Sequence, residues 1–186
     1  MTRVEYSSLK EALIAAATMG AASTLADFLW AYWSLPHRML YGLLHGALLC
    51  LLLGLVLGLL APRRPWMRAG AGALLVGVAS AASFYLLAPL LGWSALFASW
   101  MILWLLTAML NRWIRAQTST AAVGLLRGLC AALLSGAAFY AVSDMWLSPP
   151  PGGPDYPVFF LKWTFAFLPG FVCLLIRWSD LEAATD

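Results

Sequence analysis

The chain has 186 residues, a length that suits a single domain. Apolar residues make up 63% of it and charged residues 10%, whereas soluble domains contain about 45–50% and about 25% of these classes. Its 11 Lys and Arg and eight Asp and Glu are too few to cover the surface of a soluble fold. This composition excludes a soluble enzyme, a nucleic-acid-binding protein and a disordered tail, and it indicates an integral membrane protein.

Six apolar stretches are long enough to cross a bilayer as helices. About 20 mainly apolar residues, rising about 1.5 Å each, are needed to cross about 30 Å of hydrocarbon. In chain order, the predicted spans cover residues 11–33, 39–61, 69–91, 93–110, 121–147 and 157–176. The stretches lack the alternation of a transmembrane β-barrel and are too long for its strands. The sequence therefore predicts an all-α polytopic bundle of six transmembrane helices, with residues 1–186 forming one membrane domain.

Short polar or proline-containing segments separate the six predicted spans. Pro36 divides the first two spans, and residues 62–68 divide the second from the third. Gly92 marks the break between the third and the fourth. Polar residues precede the fifth span, and a proline-rich segment, which is incompatible with a helix, precedes the sixth. The connecting loops are therefore expected to be short.

The basic residues predict the orientation of the bundle. If the N-terminus is cytoplasmic, only Arg38 lies in an outer loop, and the cytoplasmic side holds Arg3, Lys10, Arg63, Arg64, Arg68, Arg112, Arg115 and Arg177. Because cytoplasmic loops carry an excess of Lys and Arg, both termini are expected in the cytoplasm. Glu5 in the N-terminal segment is atypical of a signal peptide, so the first stretch is interpreted as a span. We expect a multi-pass protein of a cell inner (cytoplasmic) membrane.

Small residues recur at every fourth position on four of the predicted spans. These stripes are Ala12, Ala16 and Gly20; Gly42, Gly46, Cys50, Gly54 and Gly58; Ala73, Gly77 and Ala81; and Gly124, Gly128, Ala132 and Gly136. Small residues allow membrane helices to approach closely. Spans four and six carry bulky aromatic residues instead, so spans one, two, three and five are expected at the centre and the other two outside. Alternatively, the stripes form sliding interfaces or a docking face for a partner.

Six polar residues are expected to converge at the outer leaflet. Ionisable groups inside membrane spans are costly and are candidates for function. The predicted topology places the following residues towards the outer side: Asp27, His37, Arg38, His45, Asp144 and Lys162. They would form an outward-facing polar pocket that binds a ligand or relays protons. Alternatively, Asp27 pairs with Arg38 and Asp144 with Lys162 in structural ion pairs, or Lys162 extends to the surface.

No catalytic, metal or cofactor motif was found in the sequence. The patterns HExxH, GxSG and GxGD are absent, and Cys50, Cys130 and Cys173 lie inside spans without CxxC spacing. The cysteines are therefore interpreted as packing residues, and no metal or cofactor is expected. A single His ligand to a pigment is left as an alternative. Asp27 and Asp144 could act as a general acid and base, so an enzyme acting on a lipid or quinone also remains an alternative.

The predicted layout favours a component that binds or transports a small solute. It is similar to the substrate-binding subunits of energy-coupling-factor vitamin transporters, which are small six-span proteins. In those proteins an Ala-xxx-Ala face on the first helix contacts the partner, and Ala12, Ala16 and Gly20 have matching spacing. The alternative function is a structural or assembly subunit of a larger membrane complex. The expected partners are the lipid bilayer, a small-molecule ligand, and a second membrane subunit or another copy of the chain.

Overall fold

The protein is a bundle of six long α-helices. The computed structural model describes residues 3–33, 38–117, 120–142 and 155–176, and no strand occurs among them. The helices are α1 (Arg3–Trp33), α2 (Arg38–Leu60), α3 (Trp66–Leu91), α4 (Ser94–Ile114), α5 (Ala121–Val142) and α6 (Tyr156–Leu175). All six are long and apolar enough to cross a membrane. The prediction of an all-α chain with six apolar helices is confirmed.

The helix ends agree with the predicted breaks, with two clear exceptions: α1 begins at Arg3, before the predicted start at residue 11, and α4 extends beyond its predicted end. Gly92, at a φ of 56°, ends α3, and its N–H donates to the carbonyl of Ala88. Helix α4 continues to Ile114, beyond the predicted end at residue 110. It does so because Asn111 is buried and its side-chain amide donates to the carbonyl of Leu174 on α6, 3.5 Å away. The last five residues of the predicted fifth span, 143–147, lie outside the described residues.

The helices form a ring in which chain neighbours pack side by side. Extensive contacts join α2 to α3, α3 to α4, α4 to α5 and α5 to α6. The ring is closed by α1 packing along α6, whereas α1 and α2 touch over a much smaller area. Helices α1 and α6 thus pack closely together. Among pairs of consecutive helices, α1 and α2 have the least contact.

The aromatic faces of α4 and α6 pack inside the bundle, so the prediction that these two helices lie outside is wrong. Trp104 and Phe171 are fully buried and meet edge to face, with ring centroids 5.2 Å apart. A Cβ at Gly170 would overlap the Trp104 ring, so this glycine makes room for the indole. Phe165, which points away from this cluster, is exposed. Small residues on one helix thus receive large rings from another.

The stripes of small residues are contacts between helices of this chain. A Cβ on Gly77 of α3 would overlap the carbonyl oxygen of Gly46 on α2, so the two backbones touch. On α1, Ala12 and Ala16 are fully buried, and a Cβ on Gly20 would overlap Thr164 of α6. The packing interpretation is therefore the one that the structure supports, because these faces are already covered within the chain.

Candidate functional site

A cavity of about 250 Å³ lies between five of the six helices. Its lining comes from α1, α2, α3, α4 and α6. Most of the lining is apolar, but seven side chains bring hydroxyl, imidazole, phenol or indole groups to it: Ser23, His45, Ser80, Tyr85, Ser99, Trp100 and Trp163. Pockets with apolar walls and a few convergent polar groups are typical binding sites for small molecules.

Close packing of α2 on α3 positions one side of the cavity. The backbones meet at Gly46 and Gly77, and both glycines line the cavity. One turn earlier on α2, Gly42 lies against the Tyr85 hydroxyl, where a Cβ would overlap the phenol. In the sequence, His45 lies between Gly42 and Gly46, and its imidazole contributes to the cavity lining. The glycine stripe therefore brings His45 and Tyr85 to one cavity wall.

Hydrogen bonds fix the serine side chains where α3 meets α4. The Ser99 hydroxyl donates to the Ser80 carbonyl at 2.5 Å, and the Ser80 hydroxyl donates to the Val76 carbonyl at 2.8 Å. Both serines are thereby satisfied as donors while their oxygen atoms can still accept a hydrogen bond. This side of the cavity therefore presents acceptors to a ligand.

Two other polar groups at the cavity have no hydrogen-bond partner among the described residues. They are the hydroxyl of Ser23, which is only 1% exposed, and the indole N–H of Trp100. Buried polar groups in native proteins nearly always have a hydrogen-bond partner. A buried group without one costs about 1–3 kcal/mol of stability. Both atoms have almost no accessible surface, so they lie in the packing behind the cavity lining and do not face its open space.

Asp27 holds Trp163 in the cavity wall. The Asp27 carboxyl on α1 accepts a hydrogen bond of 2.7 Å from the Trp163 indole N–H on α6. The Trp163 ring then lies nearly parallel to the Phe167 ring, with centroids 5.9 Å apart. The carboxyl group is itself outside the cavity lining, so Asp27 acts on the cavity through Trp163.

The six residues predicted to form the site are only partly accounted for. The structure places His45 in the cavity lining and Asp27 directly behind it. Lys162 is half-buried on α6 and is not a lining residue. Arg38 begins α2, but its side chain is not described, and His37 and Asp144 lie outside the described residues. The shared outer-leaflet pocket of all six stays a prediction.

The hydroxyl and indole groups of the cavity were missed by sequence reasoning. Ionisable residues indicate a site because they are costly inside a membrane span, whereas Ser23, Ser99 and Trp100 are uncharged and common in apolar helices. A polar network at the other end of the bundle was missed as well. Arg115 pairs with Glu11 at 2.7 Å and receives support from Asn111, which accepts from its Nε at 3.2 Å. Glu11 and Arg115 lie at the same predicted face of the membrane, so the sequence could have indicated that they pair.

Metal binding has no support in the described part of the chain. No group of three His, Cys, Asp or Glu side chains there could hold a metal ion. Cys50, Cys130 and Cys173 are free thiols, and Cys50 packs into the cavity wall. Comparison of the chain with known protein families, curated proteins and solved structures finds no match.

Proposed function

We propose that this protein binds a small solute in its central cavity and acts as a solute-binding or transport component of a membrane. The observation that carries the proposal is a cavity of about 250 Å³ between five helices, which has seven polar side chains among its lining residues. Polar groups of a solute would form hydrogen bonds with the lining side chains whose oxygen or nitrogen atoms reach the cavity. The aromatic walls would contribute the apolar contact area.

Each cavity residue has a distinct role in this proposal. His45 donates to the solute or accepts from it according to its tautomer, and the hydroxyl oxygens of Ser80 and Ser99 act as acceptors. Trp163 forms a wall whose position Asp27 fixes. A wall held by a hydrogen bond is preorganised, which lowers the entropy that binding must overcome.

Orientation and location are part of the same proposal. The excess of Lys and Arg on one side of the predicted topology supports cytoplasmic termini and a cell inner membrane. Arg63, Arg64 and Arg68 follow α2 in exposed positions, whereas the α3–α4 turn at Gly92 and Trp93 carries no charge. This contrast supports opposite sides for the two turns.

The subunit alternative keeps only part of the observation on which it was based. Its argument was that aromatic faces on α4 and α6 contact neighbouring proteins. Trp104, Phe167 and Phe171 are buried inside this chain, whereas Phe165 is exposed. The likeness to energy-coupling-factor subunits also loses its docking face, because Ala12 and Ala16 pack against other residues of the chain. The cavity is independent of both arguments.

Native mass spectrometry of gently extracted protein tests the proposed site. We expect a small-molecule adduct on the wild-type chain that is lost in Ser23→Leu. This substitution fills the cavity without breaking a hydrogen bond, since the Ser23 hydroxyl has no partner among the described residues. Ala79→Leu adds similar bulk at an exposed position of α3 outside the cavity, and it is expected to keep the adduct. An adduct that persists in Ser23→Leu would place binding elsewhere and contradict the proposal.

A further inference from the structure

The cavity lies nearer to one end of the bundle than to the other. On α1 its lining residues, among those described, are Met19 and Ser23, and on α4 they run from Leu96 to Leu103. On α2 the last lining residue is Cys50, well before the end of that helix. In the proposed orientation the cavity is therefore displaced towards the outer side, and the remaining part of the bundle separates it from the cytoplasm.

A tightly packed apolar cluster fills the bundle between the cavity and its cytoplasmic end. We call six of its side chains, each at most 2% exposed, the inner plug: Ala12, Ala16, Leu57, Trp104, Phe171 and Leu174. They come from α1, α2, α4 and α6, and each lies further towards that end than the residues of the same helix that line the cavity. The inner plug therefore blocks the direct path from the cavity to the cytoplasm.

An ion pair crosses the bundle on the cytoplasmic side of the inner plug. The Arg115 guanidinium, directly after α4, contacts the Glu11 carboxylate on α1 at 2.7 Å. Helices α1 and α4 lie on opposite sides of the ring and their backbones make almost no close contact, so the pair joins two helices that packing does not join. Asn111 accepts from the Arg115 Nε and donates to the carbonyl of Leu174. This network therefore ties α1, α4 and α6 together at the cytoplasmic end.

The ion pair lies where it can separate and form again. Its side chains are partly exposed, 16% for Arg115 and 22% for Glu11, so water can hydrate either charge when the pair separates. Partly exposed pairs contribute little to stability, whereas separating a fully buried pair is strongly unfavourable. Helix α1 also has little contact with α2. The pair is therefore a reversible link, and its separation would leave α1 held mainly by α6.

We propose that the Glu11–Arg115 ion pair is the cytoplasmic gate of the cavity. While the pair is formed, α1 stays packed in the inner plug and the solute exchanges with the outer side. When the pair separates, the N-terminal part of α1 moves away from α4, the inner plug loosens and a path to the cytoplasm opens. This inference rests on the proposed function, and it adds that the chain moves its solute across the membrane rather than only binding it.

Thiol labelling from the cytoplasmic side tests the gate and does not require the solute to be known. In a parent chain whose three cysteines are replaced by alanine, Met19→Cys places one thiol where the cavity meets the apolar cluster. Inside-out vesicles expose the cytoplasmic face to the membrane-impermeant reagent 2-sulfonatoethyl methanethiosulfonate, and intact mass gives the labelled fraction over time. We expect slow labelling in the parent chain and labelling about two- to fivefold faster with Glu11→Gln, the shift that loss of one such ion pair gives to an open–closed equilibrium.

Two matched variants show whether the effect belongs to the ion pair. Lys10→Gln removes a charge from the neighbouring, exposed position of α1 and should leave the labelling rate unchanged. Glu11→Arg combined with Arg115→Glu restores opposite charges and should return the rate towards that of the parent chain. The inference would be overturned if Glu11→Gln labelled no faster than the parent chain, or if either matched variant labelled as fast as Glu11→Gln. Rapid labelling of the parent chain itself would also overturn it, and that measurement requires no gate variant to fold.

The labelling experiment and the native adduct separate failure of the gate from failure of the binding site. An adduct that is lost in Ser23→Leu, together with labelling rates that do not depend on the ion pair, would overturn the gate and leave the site standing. An adduct that persists in Ser23→Leu would overturn the site, and the role of the gate with it. A Ser23-dependent adduct and faster labelling in Glu11→Gln would support both.

Discussion

A carboxyl group inside an apolar helix requires a hydrogen-bond donor, and for Asp27 that donor is an indole. The bond from Trp163 joins two residues that are 136 positions apart in the chain. Sequence reasoning identifies Asp27 readily, because an Asp in such a helix is costly. It cannot identify Trp163, because ten tryptophans are present and the pairing depends on how α1 packs along α6.

The Asp27–Trp163 bond should contribute measurably to stability. Asp27→Ala leaves the indole N–H without its acceptor, and Trp163→Phe leaves the carboxyl without its donor. Hydrogen bonds between membrane helices average about 0.6 kcal/mol and reach about 1.7 kcal/mol in double-mutant cycles. We expect a coupling free energy of about 1–2 kcal/mol, near the upper end, because a carboxyl acceptor strengthens the bond. Reversible unfolding in mixed detergent micelles measures it.

Asp27→Asn is the matched control for this cycle. The amide keeps an oxygen acceptor for Trp163, so this variant should lose much less stability than Asp27→Ala. A coupling free energy close to zero would show that the bond is replaced by other partners and does not hold the wall in place.

At the scale of the helices, the glycine stripes and the aromatic faces complement each other. The sequence predicts the role of the stripes, because small residues at four-residue spacing permit close approach. It does not show which side of an aromatic helix faces inward, since large side chains suit either lipid or a bundle interior. Gly170 makes room for the Trp104 ring, but it does not belong to a stripe of small residues on α6, so the sequence pattern does not indicate this role.

Gly77→Ala tests the close approach of α2 and α3. The added methyl group would overlap the Gly46 carbonyl oxygen, which is backbone and cannot rotate away. We expect a loss of about 1–3 kcal/mol in the free energy of unfolding, the range of overpacked cores. Gly124→Ala is the comparison, because its nearest neighbour is the Arg112 Cδ at 3.3 Å, part of a flexible side chain. Alanine also favours helix over glycine by up to about 1 kcal/mol, so this variant should be neutral or stabilising.

Equal losses in the two variants would contradict this account of the interface. The same unfolding assay in mixed micelles serves both, and it reports the difference between them rather than an absolute stability. Such a difference is the more reliable quantity, since the two substitutions are chemically identical.

At the scale of the whole molecule, the proposed orientation can be tested at two exposed turns. Arg63 lies in the α2–α3 turn and Trp93 in the α3–α4 turn, and both are exposed. In a chain whose three cysteines are replaced by alanine, Trp93→Cys should react with a membrane-impermeant maleimide in intact cells. Arg63→Cys should react only after the membrane is opened, because the positive-inside bias assigns this turn to the cytoplasm. The reverse pattern would invert the proposed topology.

The number of helices was predictable from the sequence, whereas the cavity was not. Length and hydropathy determine where helices can span, and they act locally along the chain. A cavity depends on the spaces left between five helices and on which polar groups find partners there. The sequence identifies His45 because it is ionisable. Only the fold shows that the Ser23 hydroxyl and the Trp100 indole N–H are buried without a hydrogen-bond partner among the described residues.

The closure of the ring by α1 and α6 has a consequence for biosynthesis. Chains are made from the N-terminus, so α1 is synthesised well before α6, the helix with which it has the most contact. Until α6 is made, Gly20 lacks the Thr164 backbone that packs against it and the Asp27 carboxyl lacks its indole donor. A nascent chain that stops before α6 therefore leaves the Asp27 carboxyl in an apolar helix without its indole donor, which is a chemical difference from the assembled bundle.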